Sequence, residues 1–343
     1  MQKILLRDFL LIIIFLLINL RHTFELLHIE TVFFTYAILL FSLMRIKYVN
    51  QVCLLFSLFL LSLIQTNAFV LFQIVLIAIC FSSIKIKDLA KYNLIIQLLF
   101  FLINYLLLQF GFLNEKIGTE DKAGLTDWGY GNINTFSCYI YFLLISLYLY
   151  FSTSKYKYFV YLLILIISCY MYDITKSRTY LISEVIMLFF AFPVLINKSK
   201  LQRFSLYLLP LLIIIIIAFM LYEFSIGNKD FDIIFSGRFH YTYKLLSSLS
   251  LKDILLGFVY DADSIVIDIA YVKLISNGGV MFFLYFLFLY YKSLPLLLNN
   301  KQYIPVVISL LIVGMSESVF SHLLFSGGLF IWFFLVKYSN LHA

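Results

Sequence analysis

The sequence predicts an all-α polytopic membrane protein with about twelve transmembrane helices and a large outer loop that carries an interfacial helix. Two observations of composition point there. Hydrophobic residues make up 63% of the 343 and charged residues only 13%, about half the charge of an average soluble domain, and mean hydropathy is +1.01. Apolar runs near the length that crosses a bilayer, about 20 residues, recur from end to end. A third observation excludes a β-barrel. Barrel strands alternate apolar and polar residues, whereas LLIIIIIAFMLY at 211–222 is apolar on every side.

Apolar runs between polar breaks place the spans near 4–20, 30–44, 51–64, 68–84, 92–110, 133–151, 156–172, 179–197, 204–222, 264–291, 302–319 and 322–338. The third is short, and the tenth is long enough to break at Asn277-Gly278-Gly279. The first run is followed by RHTFELLHIE rather than by small residues, so it reads as a retained helix and not as a cleaved leader. The whole of 1–343 reads as a single transmembrane domain.

Charge sets the orientation. With both termini in the cytoplasm, the inner segments carry Lys3, Arg7, Arg45, Lys47, Lys85, Lys87, Lys91, Lys155, Lys157, Lys198, Lys200, Arg203, Lys292, Lys301 and Lys337, opposed there only by Asp8 and Asp88. Every short inner loop is then basic, as the positive-inside rule requires. The net charge of +7 follows from topology, and nucleic acid is not an implied partner. Long outer loops remain at about 111–132 and 223–263. Within the second, KLLSSLSLKDILLGF at 244–258 has near-helical apolar spacing, which suits a helix lying on the membrane surface.

Four stretches concentrate ionisable groups, which are costly in or near a bilayer and mark candidate sites. DITKSRTYLISE places Lys176, Ser177, Arg178 and Thr179 at an outer helix start, with Glu184 further inside. A guanidinium beside two hydroxyls there suits phosphate oxygens, although Arg178 could equally snorkel to head groups. SGRFHYTYK places Arg238, His240, Tyr241 and Lys244 along one helical strip suited to phosphates and sugar rings. YDADSIVIDIAYVK holds Asp261 and Asp263, candidate caps or bases, and Asp268 with Lys273, which read as a structural ion pair inside a helix. Glu317 in GMSESVFSH is a buried acid that could partner an outer arginine.

The four cysteines lie in apolar runs without metal-ligand spacing and read as packing residues. No HExxH, Gly-rich phosphate loop or Cys-x-x-Cys is present, and the inner loops are too short for a nucleotide-binding domain. The expectation is a reaction without metal or cofactor, on a donor already activated at the outer face.

The order of these stretches resembles the O-antigen and capsular polysaccharide polymerases of the Wzy type, within the O-antigen ligase-like superfamily. GYGNINTFSCYIYF at 129–142 looks like that family's Asn motif, with Ile133 between the asparagines where proline is common. Ser177-Arg178-Thr179, Ser236-Gly237-Arg238, ILLGFVYDADSIVIDIAYVKLISNGGV and Glu317 follow in the family's order. The likeness covers the later two-thirds of the chain. It implies a glycosyltransferase of the bacterial cytoplasmic membrane that joins polyprenyl-diphosphate-linked oligosaccharide units at the outer face. A flippase and a chain-length regulator would be partners, and membrane lipid its surround. Arg178 and Arg238 would neutralise the diphosphate. Asp263, Asp261, His240 or Glu317 would act as base. Asn132, Asn134, Lys176, Tyr241, Tyr243 and Lys244 would contact substrate. A ligase-like transferase and a flippase or transporter of lipid-linked oligosaccharide are the alternatives.

Overall fold

Helix accounts for nearly all regular structure among the described residues of the computed structural model, which are 6–44, 60, 68–115, 125–192, 199–228, 230, 238–258, 267–320, 323 and 325–339. The helices are α1 (Leu6–Leu26), α2 (Val32–Leu43), α3 (Ala68–Phe81), α4 (Ile86–Gln109), α5 (Ile133–Phe151), α6 (Lys157–Thr175), α7 (Arg178–Ala191), α8 (Ser199–Ser225), α9 (Arg238–Ser247), α10 (Leu251–Leu256), α11 (Ala270–Asn299), α12 (Ile304–Val313) and α13 (Phe330–Tyr338). Six of them, α1, α4, α5, α6, α8 and α11, are long and apolar enough to cross a membrane. Helices α2, α3, α12 and α13 are apolar but shorter. The span expected at 51–64 lies outside the described residues except for Leu60. The wide apolar faces left open, with Ile95, Leu98 and Leu102 on α4 and Leu211, Ile215 and Phe219 on α8, fit a lipid surround.

The chain divides into two compact units. The first comprises Met1–Lys47, Ile77–Phe192 and Leu323–Phe333. Helix α5 is its centre and packs on α4, α6, α7 and the 3-10 turn Ser326–Leu329. Gly327 lets that turn approach closely, because a Cβ there would fall inside contact distance of the Phe142 side chain. Polar side chains in the apolar runs meet at this centre. Asn93 Nδ2 donates to Ser146 Oγ at 2.7 Å and to Gln97 Oε1 at 3.0 Å. Ser326 Oγ donates to Asn93 Oδ1, and Asn19 Nδ2 donates to Ser326 Oγ at 3.0 Å. Asn93, Gln97 and Asn104 share one face of α4 by helical spacing, so α1, α4 and α5 are joined by hydrogen bonds as well as by packing.

The second unit comprises Tyr48–Leu76, Pro193–His322 and Phe334–Ala343. Its backbone is satisfied where helices break. Pro210 inside α8 has no N–H for the carbonyl of Leu206, and the Tyr290 hydroxyl of α11 donates to that carbonyl at 2.6 Å. The last carbonyls of α12 are similarly met. Tyr271 OH donates to Leu311 O at 2.8 Å, Glu317 N donates to Val313 O at 2.9 Å, and Ala270 N donates to Gly314 O at 2.9 Å. Helix α11 breaks at Gly279, with φ 73° and ψ 172°, where the sequence places Asn277-Gly278-Gly279. The break frees Ser276 O, which accepts Phe258 N–H at 2.9 Å. Gly257 and Gly279 let the end of α10 lie directly on it.

The surface helix expected over 244–258 is two helices. Ser247 and Ser248 hydroxyls bond back to Lys244 O and Leu245 O, ending α9. Ser250 then caps α10, donating and accepting with Asp253 in a capping box. The hydrogen bonds from Ser250 hold the Asp253 carboxyl below its ordinary range. Asp268 also differs from expectation. It lies ahead of α11, in residues 267–269, which take no regular structure.

Two substitutions probe this unit. Gly279→Ala must hold a conformation open essentially to glycine alone, at about 1–3 kcal/mol, and must also displace the Leu255 carbonyl. Gly227, at φ +89° with nothing within 4 Å, carries the strain without the clash. Thermal unfolding in detergent should therefore show a far larger loss for Gly279→Ala than for Gly227→Ala, and equal losses would refute the close approach. Tyr290→Phe should cost about 1–3 kcal/mol by leaving the Leu206 carbonyl unpaired. No loss on unfolding would mean that another group fills it.

Candidate functional site

Arg238 is the first residue of α9, and its side chain turns inward, only 14% exposed. The rest of α9 explains this. Phe239, Thr242 and Leu245 form its buried face, and α9 packs on α8. Thr242 Oγ1 donates to Arg238 O at 2.8 Å, tightening the first turn. The guanidinium then meets two carboxylates. Its Nε donates to Asp268 Oδ2 at 3.1 Å, and its Nη2 donates to Glu317 Oε1 at 2.8 Å.

Each acid is aimed by local backbone. Ile269, the residue before α11, has extended backbone, and burial alternates along 267–269. Ile267 and Ile269 are buried at 3% and 0%, so Asp268 between them faces the other way, with its side chain 31% exposed. Glu317 sits in the turn after α12, which its own N–H closes onto Val313 O, and its side chain is 11% exposed. One arginine thus ties together the start of α9, the lead-in to α11 and the end of α12. The three side chains carry one cation and two anions.

The other expected residues of α9 lie elsewhere on the helix. His240, Tyr241 and Lys244 form its exposed side. His240 packs its ring edge-on against Phe224 at 5.3 Å and meets Tyr241, while Tyr243 packs on Phe224. The expected strip is therefore divided, with its histidine, tyrosine and lysine outward and its arginine inward. Asp261, Asp263, Ser236 and Gly237 lie outside the described residues.

In the first unit, α6 and α7 meet in a tight turn. Lys176 adopts the left-handed conformation at φ 49°, and Thr175 Oγ1 accepts Ser177 N–H at 3.3 Å. Lys176 pairs with Asp173 at 2.6 Å, both well exposed, and lies over the Tyr172 ring. Arg178 follows as the first residue of α7, exposed, and among the described residues no carboxylate lies within ion-pairing distance of it. Glu184 is buried at 3%, meets Ser168 of α6, and faces the bundle as the sequence suggests. Asn132 is the cap of α5, its Oδ1 accepting Asn134 N–H at 2.8 Å. Asn134 is partly exposed just inside that helix.

Two features escaped the sequence reading. One is the pairing of Asp268 with Arg238, for which the signal was the alternation Ile-Val-Ile-Asp-Ile before a helix. The other is a buried histidine. His22 of α1 is 6% exposed, lies beside Tyr130 and Phe325, and has no hydrogen-bond partner on either ring nitrogen among the described residues. Burial holds the Tyr130 hydroxyl well above the usual tyrosine range.

Among the described residues no group of His, Cys, Asp and Glu has the geometry to hold a metal ion. The class these features define is a multi-pass, helical membrane protein with a part-buried Asp–Arg–Glu cluster in one unit and an exposed arginine at a helix start in the other. Comparison with protein-family models, curated proteins and solved structures finds no match to the chain.

Breaking a fully buried pair costs about 3–5 kcal/mol; here Glu317 is buried but Asp268 is partly exposed, which puts the loss toward the low end of that range. Arg238→Ala should lower stability by about 3 kcal/mol, read by thermal unfolding in detergent, while Asp173→Asn at the exposed pair should change nothing measurable. The reverse order would contradict the cluster.

Proposed function

We propose that the protein is a membrane glycosyltransferase that joins polyprenyl-diphosphate-linked oligosaccharide units into surface polysaccharide, at the outer face of a bacterial cytoplasmic membrane. On this reading twelve spans place both termini inside. The observation that carries it is Arg178. It is an outer-side cation by charge asymmetry, stands exposed at a helix start after Ser177, and meets no carboxylate among the described residues. A guanidinium so placed suits the oxygens of a diphosphate. An acceptor hydroxyl attacks the anomeric carbon, and the C–O electron pair leaves with the polyprenyl diphosphate. Arg178 offsets the charge that develops on it. Lys176, two residues before it, is paired with the exposed Asp173 and contacts substrate on this reading by exchanging that partner. Tyr241, Tyr243 and Lys244, on or near the open side of α9, suit sugar rings and phosphates. Asn132 caps α5, and Asn134 follows it at that helix start. A general base activates the acceptor hydroxyl; the sequence candidates are Asp261, Asp263, His240 and Glu317, and Asp268 joins them through its pairing with Arg238.

A second reading, transport of a lipid-linked oligosaccharide, draws on the break in α11, since discontinuous helices line substrate sites in transporters. A ligase that moves finished polymer to another acceptor shares the donor chemistry.

Deletion of the gene should leave single repeat units on the carrier lipid, whereas long carrier-bound polymer would indicate a ligase. Arg178→Ala, inserted at normal level, should reduce chain growth at least tenfold, and Arg178→Lys should restore only part because lysine lacks the planar fork. Normal-length polymer from Arg178→Ala would overturn the proposal.

A further inference from the structure

Resting on that reading, we infer that the Asp268–Arg238–Glu317 cluster serves the acceptor sugar rather than the diphosphate. Asp268 takes the acceptor hydroxyl, and Arg238 is a positioning residue that holds it. Three observations carry the inference. First, Arg238 is already committed, with Nε on Asp268 at 3.1 Å and Nη2 on Glu317 at 2.8 Å. A diphosphate arriving there would have to displace two carboxylates while lying beside them, and the like charges oppose it. Second, of the two acids Asp268 is the more open, with its side chain 31% exposed against 11% for Glu317. Its Oδ2 is held by Arg238, and its Oδ1 has no hydrogen-bond partner among the described residues. Third, the aim of that oxygen is fixed from both sides. Ile267 and Ile269 are buried, and Ala270 N is bonded to Gly314 O, so residues 267–269 cannot turn over without exposing both isoleucines and breaking the seat of α11.

A carboxylate with one oxygen anchored and one presented is the geometry a general base needs. In the step, Asp268 Oδ1 accepts the proton of the acceptor hydroxyl. The hydroxyl oxygen forms the new bond to the anomeric carbon, and the bond to the diphosphate breaks with its electron pair leaving on the phosphate oxygen. Asp268 then returns the proton to water. Glu317 holds the far side of the guanidinium, so that Arg238 stays on Asp268.

The test uses the full-length protein in phospholipid nanodiscs, with undecaprenyl diphosphate as the binding probe and chain growth in a deletion strain as the second readout. Wild type should bind the probe, and Arg178→Ala should weaken binding at least tenfold. Asp268→Asn and Glu317→Gln should leave it within twofold. If Arg238 instead grips the diphosphate, removing a competing carboxylate should tighten binding severalfold, and that result overturns the inference. Asp268→Asn, inserted at normal level with an unchanged unfolding temperature, should accumulate single lipid-linked units, and Asp268→Glu should recover part of the chain growth. Recovery by glutamate but not by asparagine separates a proton acceptor from a structural partner. Normal-length polymer from Asp268→Asn also overturns the inference. If wild type neither binds the probe nor lengthens chains, the glycosyltransferase reading itself fails and this inference with it.

Discussion

In an apolar surround a backbone amide has no water to fall back on, so every break in a helix must find its partners within the protein. The second unit is arranged by that constraint. Pro210 opens α8, and the Tyr290 hydroxyl closes the gap. Gly279 opens α11, and Phe258 N–H takes the freed Ser276 carbonyl. Helix α12 ends, and its last carbonyls go to Tyr271 OH, to the turn amides and to Ala270 N. That last bond seats the stretch carrying Asp268 against the turn carrying Glu317. The acids are brought to Arg238 by solutions to a backbone problem, and the ion cluster is built on them.

The first unit meets the same constraint by side-chain bonding across helices. Ser146 and Ser168 bond back to carbonyls one turn earlier, and Asn19, Asn93 and Ser326 bond between elements. Packing alone discriminates poorly between helix registers when lipid is as apolar as the helix faces, and polar pairs supply what it lacks. Gly327 matters for the same reason. Its missing Cβ brings Ser326 to the surface of α5.

Much of this was legible in the sequence because length and hydropathy alone decide it. The run 133–151 coincides with α5, and the break at Asn277-Gly278-Gly279 falls where glycine leaves the helical region. Illegible parts depend on contacts between distant residues. KLLSSLSLKDILLGF has helical spacing throughout, yet three serine hydroxyls compete for the backbone and split it, as serine does near helix ends. Asp268 was read as helical and paired with Lys273 because apolar neighbours on both sides look alike in a buried helix and a buried non-helical stretch. Only the third dimension brings it to Arg238, thirty residues away.

By sequence Arg178 and Arg238 are both expected on the outer side, against the positive-inside rule, and are treated alike. Their surroundings separate them. At Arg178 the preceding lysine is occupied by Asp173 and the guanidinium stands in the open. At Arg238 the same chemical group is enclosed, with its donors directed at two carboxylates. An exposed cation is available to a charged ligand at little desolvation cost. An enclosed one surrenders existing bonds before it can form new ones, and the acids it releases would then be left unpaired. The local balance of charge, more than the presence of arginine, therefore decides which of the two can meet a phosphate.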